Sequence, residues 1–299
     1  MTKSQAWIEA IRPRTLPLSL SGILFGSAIA FQNGFIDWTI FALALSTTIL
    51  FQILSNLAND YGDGVKGIDN ADRIGPTRAI QSGVISKNEM KTAVILTSIL
   101  SFIAAGALIY VGAQTMSSTI IWFYVILAVL CVVAAITYTV GKKAYGYHGM
   151  GDIMVFIFFG LVSVLGVFSL YTNYFDWNNL LPATTIGLLS AAVLNLNNMR
   201  DYASDKKAGK NTLVVIIGLE FAKLYHVLLI FGAVATLFVF LTNQNRSIGF
   251  IAAIPIVSLA FHVMKVAKVQ ATKEFDPELK VVSLSTFGIA ILYFASIWF

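Results

Sequence analysis

Two stretches of the chain carry side chains suited to holding a metal ion and an anionic substrate. The first runs Asn56-Leu-Ala-Asn59-Asp60-Tyr61-Gly-Asp63 and continues to Asp69 and Asp72. The second runs Asn195-Leu-Asn197-Asn198-Met-Arg200-Asp201-Tyr202-Ala-Ser-Asp205. Laid on one another, Asn56-x-x-x-Asp60-Tyr61 matches Asn197-x-x-x-Asp201-Tyr202. Residues i and i+4 share a helix face, so each copy aims an amide and a carboxylate the same way. Both stretches follow an apolar run, Trp38 to Leu57 and Leu180 to Leu194, and so fall where a helix gives way to a polar loop. A helix C-terminus carries partial negative charge, and clustered aspartates are unfavourable there until a cation joins them. Mg²⁺ suits the place, since it takes one or two carboxylates and completes its shell with water and phosphate oxygens. One such loop alone reads equally well as solvated, incidental acids; the repetition of Asn and Tyr along with Asp favours a site.

The elements that must position these residues are membrane helices. Apolar residues make up 57% of the 299 positions and charged ones 12%, against roughly 25% charged in a soluble domain. The chain reads as an all-α polytopic membrane protein with the lipid bilayer as its surroundings. Nine apolar runs approach the ~20 residues that a crossing requires: 15–32, 38–58, 92–112, 119–140, 153–173, 179–199, 221–241, 247–264 and 281–299. Of the 20 Lys and Arg, all but Arg246 fall in alternate loops. The positive-inside rule then puts the N-terminus in the cytoplasm, the C-terminus outside, and both aspartate clusters on the cytoplasmic side. Loops 59–91 and 200–220 cap that face.

Other classes are weakened or excluded on the same grounds. The net charge of +5 reflects this topology and implies no nucleic-acid partner. Cys131 is the single cysteine, so neither a disulfide framework nor a cysteine metal site is expected. Met1 to Glu9 lacks a cleavable signal pattern, so the first span is expected to stay. No G-x-x-x-x-G-K-[ST] loop occurs. Mid-membrane acids of the kind an ion path uses are missing, which argues against a divalent-cation carrier. His226 and His262 read as interfacial or packed, with no further ligand at metal spacing beside them. Trp7, Ile8 and Ile11 predict a short amphipathic helix lying on the cytoplasmic leaflet.

The repeated motif predicts a single domain over 1–299 with an internal half-repeat, motifs at 56–72 and 195–210, and the site between the halves. A gap with carboxylates on both sides and Lys66, Arg73, Arg78, Lys142 and Arg200 nearby suits a magnesium diphosphate.

These residues, together with Tyr138-x-x-x-Lys142-Lys143 at the end of the fourth span, resemble the UbiA superfamily of intramembrane aromatic prenyltransferases over essentially the full chain. Asn56 to Asp63, Asp72-Arg-Ile-Gly-Pro76 and Gly209-Lys-Asn-Thr-Leu213 are most similar to the branch that prenylates 1,4-dihydroxy-2-naphthoate in menaquinone biosynthesis. The family pattern N-D-x-x-D-x-x-x-D is broken at Gly67, leaving Asp69, Asp72 or neither as a third acidic ligand. The resemblance implies nine transmembrane helices around a central cavity, capped by cytoplasmic loops and open sideways to lipid. It implies Mg²⁺-dependent transfer of a polyprenyl chain from its diphosphate to 1,4-dihydroxy-2-naphthoate, giving demethylmenaquinone with loss of CO₂ and diphosphate. Another acceptor such as 4-hydroxybenzoate, or a phytyl donor, stays open within the same chemistry.

Carried onto this chain, the resemblance gives Asp60, Asp63, Asp201 and Asp205 as metal ligands. Asn56, Asn59, Lys66, Arg73, Arg78, Asn197 and Arg200 surround the diphosphate. Mg²⁺ and basic side chains stabilise the departing group, while an aromatic face shelters the allylic cation. Tyr138 is the candidate for that face; the Phe156-Ile-Phe-Phe159 run reads equally as packing. The loop from Tyr138 to Asp152, made tight by Gly146, Gly149 and Gly151, is expected to bring Lys142, Tyr147 and Asp152 to the acceptor. Lys142 would pair with the diphosphate or the acceptor carboxylate. Asp152 would take a hydroxyl proton or, equally, cap the fifth span.

Overall fold

The computed structural model describes residues 2–67, 78–244 and 246–299. A lead helix α1 (Lys3–Ile11) opens the first, Lys3–Gln32, of nine segments that, among the described residues, are long and apolar enough to cross a membrane. These are α2 (Leu16–Gln32), α3 (Trp38–Lys66), α4 (Lys87–Gly112), α5 (Ser118–Thr137), α6 (Gly151–Thr172) and α7 (Leu180–Arg200). After two short helices, α8 (Tyr202–Lys207) and α9 (Leu213–Ile217), come α10 (Leu219–Asn243), α11 (Ser247–Val266) and α12 (Phe275–Ser296). The described residues hold no strand beyond an isolated bridge between His148 and Asn211.

Local chemistry sets the helix ends. Asp37 caps α3 by accepting from the backbone N–H of Thr39 (2.7 Å) and Ile40 (3.0 Å), satisfying donors that the first turn leaves orphaned. Ser86 and Glu89 form a capping box at the start of α4. Gly67 ends α3 in the left-handed region, φ 67°, a conformation glycine adopts without cost.

Two boundaries differ from those read in the sequence, and both matter. α3 does not stop near residue 58 but runs on to Lys66, so Asp60 and Asp63 lie on its last turns rather than in a loop. Gly62 allows this: a Cβ there would lie 2.6 Å from Thr139 Oγ1, so only glycine lets the end of α5 approach. α12 begins at Phe275 rather than near 281, and its first turn carries Asp276 and Glu278, a favourable place for acids.

Two apolar cores hold the bundle. The larger joins α2, α6, α7, α10 and α12 through residues such as Phe25, Phe168, Ile186, Leu237 and Val282. The smaller wraps the end of α3 with α1 and α4, through Ala6, Ala10, Leu54, Leu57 and Met90. α1 therefore does not merely lie on a leaflet. It seats Ala6 and Ala10 against α3 while Ile8 stays exposed. On α4, Ile95, Leu96, Ile99, Leu100 and Ile103 are all exposed, an apolar face of the kind that belongs against lipid.

One buried polar group joins the later helices. His226 on α10 and His262 on α11 meet Nε2 to Nε2 at 2.7 Å, and His262 Nδ1 lies 2.6 Å from Glu278 Oε2 on α12. The expectation of packed rather than ligating histidines agrees with this contact; the Glu278 partner escaped notice because α12 was read as starting after it.

Candidate active site

The helices enclose a cavity of about 960 Å³. One end is polar, built from the ends of α1, α3, α7 and α12; the rest is largely apolar, with Leu108, Leu127, Phe158, Phe159, Val162 and Leu170 in its wall. The wall passes along a π-helical stretch of α6, Phe156–Gly166, which presents Phe158 and Phe159 to the cavity, whereas Phe156 packs on Gly187.

At the polar end the first motif is clamped by arginines from elsewhere in the chain. Asp60, 1% exposed, accepts from both Arg12 and Arg78, and Arg78 also reaches Asp63 at 3.0 Å. Asn56 donates to the Ile11 carbonyl (2.8 Å) and to Thr15 Oγ1 (3.2 Å), tying α3 to the turn after α1. Arg12 sits in that turn with φ 54°, a conformation uncommon outside glycine and asparagine and all the more unusual before Pro13. Asn59 accepts from Thr139 Oγ1 at 3.3 Å and lines the wall.

The second motif finds its cations close by. Arg200 donates to Asp201 through Nε (2.9 Å) and Nη2 (2.8 Å), to Asn197 (2.8 Å) and to Asp276 on α12 (2.7 Å). Lys210 lies 3.6 Å from Asp205. Asn197, Arg200 and Lys210 line the cavity, and Asp201 and Asp205 sit buried just behind them.

Tyr147 links the two halves. Its hydroxyl donates to Asp63, and Lys66 and Lys210 approach its ring at 3.8 and 5.7 Å, so one aromatic ring meets a cation from each motif. Tyr138 lies in the wall just past the end of α5, its ring edge-on to Tyr145 at 5.3 Å. Burial first, then the carboxylates of Asp152, Asp63 and Asp205, hold its phenol above the ordinary range, so it is a neutral hydroxyl.

The expected acceptor loop is placed differently. Lys142 is exposed, and neither it, Tyr147 nor Asp152 is in the cavity wall. Asp152 is not the helix cap either. Met150 holds that position, and Asp152 lies in the first turn of α6, accepting from Tyr225. Arg73, Asp69 and Asp72 lie outside the described residues. Sequence reasoning missed Arg12, Lys210 and Asp276; Arg12 had read only as a topology charge, and nothing local announces its left-handed turn.

Among the described residues no three acidic, histidine or cysteine side chains gather around one point. The oxygen donors come instead as two carboxylate pairs, each with an amide beside it. That donor set is hard and oxygen-only, the chemistry Mg²⁺ accepts.

The model of the UbiA prenyltransferase family matches residues 19–296. The chain belongs to this family. It is 46% identical over 269 residues to the 1,4-dihydroxy-2-naphthoate octaprenyltransferase of Escherichia coli (strain K12), covering 89% of this chain and 87% of that protein. The protein of the same name from Haemophilus influenzae is 43% identical, with 97% and 95% covered. A UbiA homolog from Archaeoglobus fulgidus, solved bound to GPP and Mg2+, superposes with a TM-score of 0.67 at 17% identity, covering 98% of this chain and all of that one. The protein is a UbiA-family prenyltransferase with bacterial homologues, built as a multi-span helical membrane protein.

Proposed function

We propose that this prenyltransferase moves a polyprenyl chain from its diphosphate to 1,4-dihydroxy-2-naphthoate, releasing diphosphate and CO₂ on the route to menaquinone. The observation that carries the reading is the cavity itself: two buried aspartate pairs at a polar mouth that opens into an apolar chamber. An amphiphilic diphosphate needs both ends. The names of the relatives above supply the acceptor.

Asp60 and Asp63 on one side, and Asp201 and Asp205 on the other, would hold Mg²⁺. Bound there, the ion supplies positive charge that stabilises the departing diphosphate. The chain's own residues do the rest. Arg12, Arg78, Arg200 and Lys210 pair with the carboxylates, and the same cations would be available to phosphate oxygens of a bound diphosphate. Asn56 and Asn197 fix the last turns of α3 and α7 on either side. Lys66 and Tyr147 hold Asp63 in place. Phe158, Phe159 and the neutral Tyr138 line the chamber near the mouth, exclude water and face the allylic carbon while its C–O bond breaks.

Purified protein given Mg²⁺, a polyprenyl diphosphate and a mixture of aromatic acceptors should yield prenylated naphthoate product by mass spectrometry. A product on 4-hydroxybenzoate with the naphthoate untouched would overturn the reading. The motif end is assigned to the cytoplasm by the Lys and Arg distribution. Cysteines at Lys87 and Gln114 should label from opposite faces of the membrane, and labelling from one face would reverse that assignment.

A further inference from the structure

The reacting acid must be held somewhere, and the three side chains first expected to hold it, Lys142, Tyr147 and Asp152, are not in the cavity wall. The cations that do line the polar end are mostly committed: Arg12 and Arg78 to Asp60, Arg200 to Asp201 and Asp276, Lys210 to Asp205. Lys280 differs. It lines the cavity from α12, is exposed to it, and is absent from every hydrogen bond and ion pair among the described residues. Its neighbour one turn before, Asp276, does not compensate it, because that carboxylate lies 2.7 Å from the Arg200 guanidinium.

One turn further along, Ser283 also lines the cavity. It is 7% exposed, and its Oγ meets no hydrogen-bond partner among the described residues. Buried hydroxyls are normally satisfied, and an unsatisfied one on a residue that lines a cavity calls for a partner from outside the chain. Residues three apart on a helix lie ~5–6 Å apart at Cβ. Lys280 and Ser283 thus offer, on one face, a point charge and a hydroxyl at adjacent positions, with the apolar side chains of Leu279 and Leu284 beside them in the wall.

We infer that this face of α12 is the acceptor subsite, with Lys280 pairing the carboxylate of an aromatic hydroxy acid and Ser283 hydrogen-bonding its neighbouring ring hydroxyl. The inference rests on the prenyl-transfer reading above and adds to it the residues that choose the acceptor. The ring would lie against Leu279 and Leu284. Phenols without a carboxylate gain nothing from Lys280, so the subsite selects for acids.

The test compares wild type with Lys280→Met, Lys280→Arg and Ser283→Ala in steady-state prenylation, varying donor and naphthoate separately. Losing a charge-assisted contact should raise the naphthoate KM about tenfold or more in Lys280→Met, with the donor KM within twofold. Lys280→Arg should recover most of the loss, and Ser283→Ala should show a smaller rise in the same constant. Inhibition supplies a readout that misfolding cannot imitate. On wild type, 1-hydroxy-2-naphthoate should compete with the acceptor far better than 1-naphthol, and that preference should vanish in Lys280→Met. An unshifted naphthoate KM in Lys280→Met, or a preference that survives in it, overturns the subsite alone. A wild type that makes no prenylated naphthoate overturns the functional reading, and the subsite with it.

Discussion

At the first aspartate motif the cations arrive from far along the chain, Arg12 from 48 residues before Asp60 and Arg78 from 18 after it. At the second motif Arg200 is the immediate neighbour of Asp201, and it keeps Asn197, three residues back, on the same guanidinium. The carboxylates match; the means of neutralising them do not. A locally paired motif is formed as soon as its helix end forms. A remotely paired one exists only once α1, α3 and the segment beginning at Arg78 have packed together. The first motif therefore couples the site to the fold, and the second is closer to a self-contained unit.

Removing one acid from each motif gives the largest expected effect and the sharpest contrast. Asp60→Asn and Asp201→Asn should each cut turnover by about 100-fold or more, since a metal ligand is worth several kcal/mol in the transition state and ~1.4 kcal/mol is tenfold in rate. Their stabilities should diverge. Asp60→Asn leaves Arg12 without a carboxylate and Arg78 with Asp63 alone of the two aspartates, and stranding a buried charge costs about 3–5 kcal/mol. In Asp201→Asn, Arg200 retains Asp276 and Asn197, so the loss is smaller. Thermal unfolding in detergent measures both, and equal midpoints would erase the distinction between the motifs.

Arg78→Ala comes next. It frees Asp63 of its arginine and removes the Arg78 guanidinium from Asp60. The midpoint should fall and the donor KM rise about tenfold, the range expected for a charge-assisted bond. Mg²⁺ with diphosphate should restore much of the stability, because ligands that bind only the folded state raise it. A variant equally unstable with and without them would mean that Arg78 serves the fold and not the site.

How much of this was legible in the chain follows from the same contrast. The local part of the second motif could be read, because Arg200, Asp201 and Asn197 touch within one helical turn, whereas its Lys210 and Asp276 partners could not. The nine spans were readable because lipid demands long apolar runs whatever their partners. What could not be read depends on close tertiary approach. Asn59-Asp60-Tyr61-Gly62-Asp63-Gly64 has the composition of a loop. It stays helical because Gly62 admits Thr139 and Gly64 admits Ile80, while arginines satisfy the acids. Arg12 needs a left-handed backbone to reach Asp60, and no neighbouring residue type signals one. The same reason hid Asp276 and Glu278, which the polar start of α12 had disguised as loop.

Tyr147→Phe probes the bridge between the motifs at smaller scale. It deletes the hydrogen bond to Asp63 and keeps the ring on which Lys66 rests. A hydrogen bond to a charged group contributes roughly 1.5–3 kcal/mol, and Asp63 keeps Arg78, so a fall in turnover of about fivefold to tenfold is expected. Tyr147→Leu, which loses the ring as well, should do worse. Equal losses would assign the whole effect to the hydroxyl and none to the ring that the two lysines approach.

The smallest effect belongs to Asp152, where chemistry and architecture make opposite demands. As the base for an acceptor hydroxyl it would need to face the cavity. It is instead 4% exposed and absent from the wall, with its carboxylate turned to Tyr225 and Oδ1 unpartnered among the described residues. As a helix cap it would need the position that Met150 holds. What remains is a buried acceptor for one tyrosine hydroxyl, and asparagine offers the same oxygen. Asp152→Asn should therefore keep turnover within about threefold and stability within ~1 kcal/mol, the scale of one neutral hydrogen bond. Asp152→Leu should lose more stability, because it leaves the Tyr225 hydroxyl without its acceptor. If Asp152→Asn instead lost prenylation while still binding donor and unfolding normally, proton transfer through Asp152 would have to be restored, and the wall would have to open toward α6 during turnover.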